Sequence, residues 1–185
     1  MFNFIKFASK KPKMKKDVER DAQGNALFEI AIKDKSEVLA PFSLDSKDTI
    51  NVEFANVLDN TAKSFSKKEK LHLNLKCDKL SDKEKESFSL AIKNYYFNAL
   101  VEDERKLKNN IFLFWVMIAL SIVSLAVLFI TNFFAAPWIV IEVIDIIAWV
   151  FVWEAVDLLA FQRSLLRYDK QHDYALYKMK ITFEN

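Results

Sequence analysis

The chain has 185 residues, enough for one ordinary domain or for a smaller domain joined to a membrane module. Its 27 basic and 25 acidic residues nearly cancel, so the net charge of +2 singles out no polyanionic partner, and no nucleic-acid recognition module accompanies the lysines. A single glycine, Gly24, excludes Gly-rich phosphate loops, and a single cysteine, Cys77, excludes an intramolecular disulfide and reads as a small buried hydrophobe.

Residues 1–16 differ from everything after them. Phe2, Phe4, Ile5 and Phe7 form an apolar tip, interleaved with Lys6 and followed by Lys10, Lys11, Lys13, Lys15 and Lys16. Two readings are open: a segment lying on an anionic leaflet, and a solvated basic tail. The opening apolar run is too short for a secretory core and has no small-residue cleavage site, so export of the N-terminus is not expected.

Residues 17–108 read as a cytoplasmic α+β domain. Phe28, Ile30 and Ile32 alternate with polar or small residues, as in a strand with one buried face. Ile50, Phe54, Val57 and Leu58 have helical spacing after a candidate Asp48 cap, although Ile50, Val52 and Phe54 also alternate; the segment is read as helix. Leu71, Leu73, Leu75 and Cys77 alternate with His72, Asn74 and Lys76, predicting a second strand. Ser81-Asp82-Lys83-Glu84 then forms a capping box, opening a helix with Phe88, Ile92, Tyr95, Tyr96 and Ala99 on one face. No Gly or Pro interrupts the chain from Ser81 to Thr131, so this helix either continues into the apolar segment as a stalk or breaks near Lys108-Asn109-Asn110.

Two apolar segments follow. Residues 111–131 carry no charge over a length of roughly 31 Å, which matches a bilayer core, and residues 138–161 are long enough to span with some tilt. Between them residues 132–137 form a short external loop, with Pro137 placed to open the second helix in its first turn. Basic residues resist translocation. Lys93, Arg105, Lys106 and Lys108 precede the first segment, while Arg163, Arg167, Lys170, Lys178 and Lys180 follow the second and the loop has none. Both termini are therefore expected on the cytoplasmic side of the inner membrane, in a multi-pass arrangement with Trp115 and Trp138 as aromatic anchors at the interface and Arg105, Arg163 and Arg167 as basic ones.

Residues 162–185 read as a cytoplasmic tail. Within it Tyr177, Met179, Ile181 and Phe183 alternate with Lys178, Lys180 and Thr182, predicting a strand over 177–183 that returns to the N-terminal sheet. The expected fold is thus a membrane α-helical hairpin of two transmembrane helices plus a small cytoplasmic α+β domain.

Four carboxylates interrupt the second apolar segment: Glu142, Asp145, Glu154 and Asp157. A carboxylate at membrane depth costs several kcal/mol unless it is neutralised, and the first segment offers no basic partner. At about 100° per residue each pair shares a face through its i,i+3 spacing, but the two pairs point ~120° apart and form no single acidic stripe. They serve either structural anchoring and oligomer packing or the handling of ions or protons. His72 and His172 are isolated, with no Cys or His at ligand spacing, and no nucleophile-elbow sequence occurs. No metal, cofactor or catalytic residue is expected. The expected partners are membrane lipids, a second copy of the chain and a cytoplasmic protein.

Two blocks bear a likeness beyond this pattern: AIKNYYFNALVEDERKLKNN, from Ala91 to Asn110, and AWVFVWEAVDLLAFQRSLLR, from Ala148 to Arg167. They resemble a family of small bacterial two-span membrane proteins with a cytoplasmic domain, as does LAPFS from Leu39 to Ser43. The likeness covers about half the chain, and Trp153, Glu154 and Asp157 carry its core. It implies the same topology and no catalytic or binding role for any residue. From the residues and the likeness together, a self-associating, non-enzymatic membrane protein is expected, with an oligomeric cation channel or proton-coupled conductor as the alternative.

Overall fold

The computed structural model describes residues 19–40, 49–65, 69–77 and 80–184. The basic tail of residues 1–16, with Phe2, Phe4, Phe7 and its lysines, lies outside the described residues, as does Asp48.

Three parallel strands form one sheet in the order β1-β2-β3: β1 is Ala26–Ile32, β2 is Leu71–Cys77 and β3 is Lys180–Glu184. The first two strands coincide with the alternating segments. A turn held by Asp21 leads into β1, and there Gly24 takes a left-handed backbone (φ 81°), as its missing Cβ permits. Between β1 and β2 lies helix α1, Val52–Ala62, whose cap is Asn51 rather than Asp48: the Asn51 side chain accepts from the backbone N–H of Glu53 at 3.0 Å. Ile50 is not part of that helix and instead forms a bridge with Leu39, which accounts for its alternation with Val52.

Helix α2 runs unbroken for 52 residues, Asp82–Phe133. Its start is the expected capping box, with the Ser81 N–H donating to Glu84 Oε2 at 2.8 Å. Lys108-Asn109-Asn110 does not break it, so the stalk reading holds. The N-terminal half buries Phe88, Ala91, Ile92 and Tyr96 against the apolar face of the sheet, formed by Phe28, Leu73 and Leu75. By contrast, the C-terminal half is long and apolar enough to cross a membrane, and hardly any of it is covered by protein. Phe112, Trp115, Ile122, Val123, Phe129 and Phe133 stand exposed along it as an extended apolar surface.

The turn after α2 ends on an unusual residue. Ala135 adopts φ 50°, and its N–H donates to Asn132 O while that of Ala136 donates to Thr131 O, the paired bonds of a Schellman motif that normally places glycine here. Ala135→Gly is expected to stabilise the protein by about 1 kcal/mol by removing the Cβ clash; unchanged thermal unfolding in detergent would contradict this.

Pro137 is the residue just before the next helix rather than its first turn, with an extended backbone (φ −54°, ψ 137°). Helix α3, Trp138–Asp157, returns along the apolar half of α2. Small residues line the seam: Ser121 on α2 and Ala148 and Ala155 on α3 are all buried, which lets the two backbones approach closely. A π-helical turn, Leu158–Gln162, joins α3 to helix α4, Arg163–Tyr177, so the rod continues well past the apolar segment.

The segment after residue 162 differs from expectation. It is mostly helix, and Tyr177 closes α4 instead of opening a strand. Only Lys180–Glu184 is extended, and this strand does pair with β2, with Ile181 beside Leu73 and Phe183 beside Leu75. The whole helical excursion from α2 to α4 is therefore the crossover between two neighbouring parallel strands. A polar chain on the opposite face of the sheet ties its ends together. His72 bridges Asp21 Oδ2 (2.8 Å, through Nδ1) and Thr182 Oγ1 (2.9 Å, through Nε2), Thr182 donates to Asn74 Oδ1, and Asn74 donates to Glu29 and Glu184. Burial disfavours the charged Asp21 carboxylate, but hydrogen bonds from the Asn25 side chain and backbone, His72 and Gln23 outweigh it and hold the group far below the usual range.

Candidate functional site

Two groups of carboxyls stand out, one on α3 and one where α1, α2 and α4 meet. On α3 the helical pitch divides the expected four residues. Glu142 and Glu154 are exposed among Val143, Ile146 and Trp153, whereas Asp145 and Asp157 are half-buried. Asp157 accepts a hydrogen bond from Gln162 Nε2 at 2.7 Å. It pairs with neither Arg163 nor Arg105 among the described residues. Glu142, Asp145 and Glu154 likewise enter no ion pair there. The structure thus brings the four onto one helix without giving any of them a cation.

The anchors flank these residues at both ends. Trp115 and Trp138 are exposed on the apolar surface, and Arg105 and Arg167 are exposed on the stalk and on α4. Arg163 is half-buried beside the π-helical turn, and its Nε, like Asn110 Nδ2 on α2, is buried without a hydrogen-bond partner among the described residues. Two orphaned donors at this level of the hairpin leave room for an acceptor supplied from outside it.

The second group escaped the sequence reading. Asp103 on α2 is 5% exposed, and its Oδ2 has no hydrogen-bond partner among the described residues. Asp173 on α4 faces Asp103 closely enough for the two carboxyls to interact, and Asp169 adds its charge from the same helix. From α1, Asp59 accepts from the Tyr96 hydroxyl at 2.9 Å and lies 3.8 Å from His172 Nε2, while Lys106 Nζ lies 3.9 Å from Asp103 Oδ1. Burial, followed by the charges of Asp103 and Asp59, pushes the Asp173 carboxyl up to about 6 against the opposing pull of His172. Burial likewise raises Asp103, against the pull of Lys106. Across the α2–α4 contact the charge of Asp103 thus disfavours ionisation of Asp173.

A signal for Asp103 was present. Continuing the Phe88, Ile92, Tyr96 and Ala99 face by four residues reaches Asp103, and a further seven reach the buried Asn110. The native state holds the Asp173 proton more tightly than the unfolded chain, so this contribution is full at low pH and is lost as the pH rises from about 3.8 through about 6. Asp173→Asn is expected to abolish that slope and, after allowance for solvent screening, to raise stability near neutrality by about 1–2 kcal/mol. Thermal unfolding of the detergent-solubilised protein across this range checks it; identical pH slopes for both chains would contradict it.

Comparison with models of protein families, with curated proteins and with solved structures found no match.

Proposed function

We propose that the chain is an integral protein of the inner membrane that crosses the bilayer twice, keeps both termini in the cytoplasm, and self-associates through α3. Its cytoplasmic α+β domain then presents a surface for a protein partner or for lipid, without a catalytic step.

The observation that carries this reading is the composition of the exposed surface of α3, where Glu142 and Glu154 stand without a cation among apolar side chains. In a lone hairpin those carboxylates meet hydrocarbon, at up to roughly 2.5–3.5 kcal/mol for Glu154, which is closer to the bilayer centre, and less for Glu142 near the start of α3. Because the two point ~120° apart, copies of the chain packed against more than one side of α3 remove both from lipid. The absence of Lys and Arg from the connecting turn, against their abundance at the other ends of both helices, supports the orientation. Light scattering of the nanodisc-embedded protein, corrected for lipid, is expected to give a multiple of 21.6 kDa; the mass of one chain would contradict self-association.

One observation favours a second reading, an oligomeric cation or proton conductor. Asp145 and Asp157 are half-buried while Glu142 and Glu154 face outward, so an assembly can wet more than one side of α3. Proteoliposome flux lost on converting all four to amides would support it, and flux that is absent or unaltered would eliminate it.

A further inference from the structure

A groove of about 950 Å³ opens between the start of β2, the turns of α2 that precede its apolar half, and α4. Among the described residues, its cationic side chains fall into two pairs at opposite ends. Arg167 and Lys170 are one turn apart on α4, and Lys170 lies 3.8 Å from Glu104, which sets Leu107, a turn further along the antiparallel α2, level with Arg167. Lys70 and Lys178 form the other pair, since each stands two residues before the first paired residues of β2 and β3, His72 and Lys180. Tyr174 lies between the pairs on α4, and Leu71 and Leu107 complete an apolar floor. Among the described residues the acidic lining residue, Glu69, is paired with Arg20 at 2.7 Å, whereas Lys70, Arg167 and Lys178 enter no ion pair, so the groove keeps an excess of positive charge.

The separation of the two pairs narrows the choice of occupant. Lys178 stands eleven positions after Arg167 and eight after Lys170, or roughly 16 and 12 Å of helical rise. By the same count the groove runs from about 9 Å to about 25 Å beyond the apolar segment of α3, so it points away from that segment and its far pair is out of reach of a group lying at the segment's edge. No single phosphate touches both pairs. A nucleic acid needs a stacking surface as well, and the ring that lines the groove, Tyr174, already has the Lys178 ammonium 5.9 Å from its centroid. An extended peptide advances about 3.3–3.6 Å per residue, so two carboxylates four residues apart are separated by roughly 13–14 Å and meet both pairs, while the side chains between them cover the floor.

We propose that this groove binds an extended acidic segment of a partner protein, with one carboxylate held by Arg167 and Lys170, a second about four residues away held by Lys70 and Lys178, and aliphatic side chains between them on Leu71, Leu107 and Tyr174. The proposal rests on the reading of the α+β domain as a partner-binding module and is independent of the number of crossings. It gives that module a defined site and its partner a defined chemistry: two acids bracketing a short apolar run.

The test uses the full-length protein in detergent, titrated into a fluorescein-labelled peptide that carries two glutamates four residues apart with leucines between them, and read by fluorescence anisotropy against empty micelles. Saturable binding is expected. It should be lost when both glutamates are glutamine, weaken when the two glutamates are adjacent, and fall about three- to fivefold for each of Lys70→Ala and Arg167→Gln, while Lys93→Ala, which removes a lysine outside the groove, leaves it unchanged. Equal binding of the glutamine peptide would overturn the assignment, as would competition by inorganic pyrophosphate or a single-stranded oligonucleotide at lower concentration than by unlabelled peptide. So would peptide affinity indifferent to Lys70 and Arg167 in variants that unfold at the wild-type temperature. The mass of the same preparation tests self-association separately: an oligomer that ignores the peptide sinks the groove alone, and a monomer that binds it through Lys70 and Arg167 keeps the groove and loses self-association.

Discussion

Replacing Ala148 and Ala155 together by leucine is expected to part the apolar helices, because both side chains are buried in the seam against α2 and the added atoms have nowhere to go. Overpacking of this kind costs about 1–3 kcal/mol per site, and van der Waals fit is what holds apolar helices together where no water is excluded. The control is conservative in composition. Ile146→Leu and Val150→Leu change exposed positions of the same helix and are expected to be silent. Cysteines at Ser121 and Ala148 in a Cys77→Ser chain, positions that both face the seam, provide a second readout through the yield of intramolecular cross-link. Equal stability of the seam and surface variants would show that α3 is not seated on α2 as described.

Leu73→Ala is expected to have the largest effect on the part of the chain built around the sheet. Leu73 is wholly buried in the central strand, where it stands between Phe28 of β1 and Ile181 of β3 and belongs to the core that α2 covers. Removing its side chain leaves a void that three strands and a helix share, so the neighbours cannot collapse without moving one another, and the loss is expected at about 3–5 kcal/mol. Asn74, one residue on, faces the polar side, and changing it should cost less, because Glu29 and Glu184 remain within reach of Lys76 and water. Pulse proteolysis in urea, read on fragments of the sheet domain, distinguishes the two; a Leu73→Ala chain as resistant as the wild type would contradict the assigned core.

Local signals in the sequence were followed where one side of an element met one environment. The alternation of β1 and β2 was legible because their polar face carries His72, Asn74 and Lys76, and the capping box marked the first turn of α2. The long stalk was legible as an unbroken run without Gly or Pro. Helix α4 was not. Its packed face mixes Leu176 and Ala175 with His172 and Asp173, so the apolar period is diluted, and Tyr177 happens to fall in phase with the true strand that follows. The Asn51 cap was masked by the Ile50 bridge, which imposes a strand period on the entry to a helix. Parallel pairing of β3 with β2 depends on a crossover more than a hundred residues long, for which no local pattern exists.

The same contrast applies to the functional residues. The carboxylates of α3 were conspicuous because acidic residues in an apolar run are costly. Asp173 was hidden in a charged stretch, where one more acid attracts no notice; only the fold brings it against Asp103. The groove lined by Lys70, Arg167, Lys170 and Lys178 draws on elements far apart in the chain, and no sequence spacing announces it.

The two-crossing arrangement is tested most directly at the turn between α2 and α3. A chain with Cys77→Ser and Phe134→Cys is expected to react with a membrane-impermeant maleimide in intact cells or spheroplasts, while Ser164→Cys reacts only once the cytoplasmic side is opened. Labelling of the Phe134 position from the cytoplasmic side alone would contradict the account.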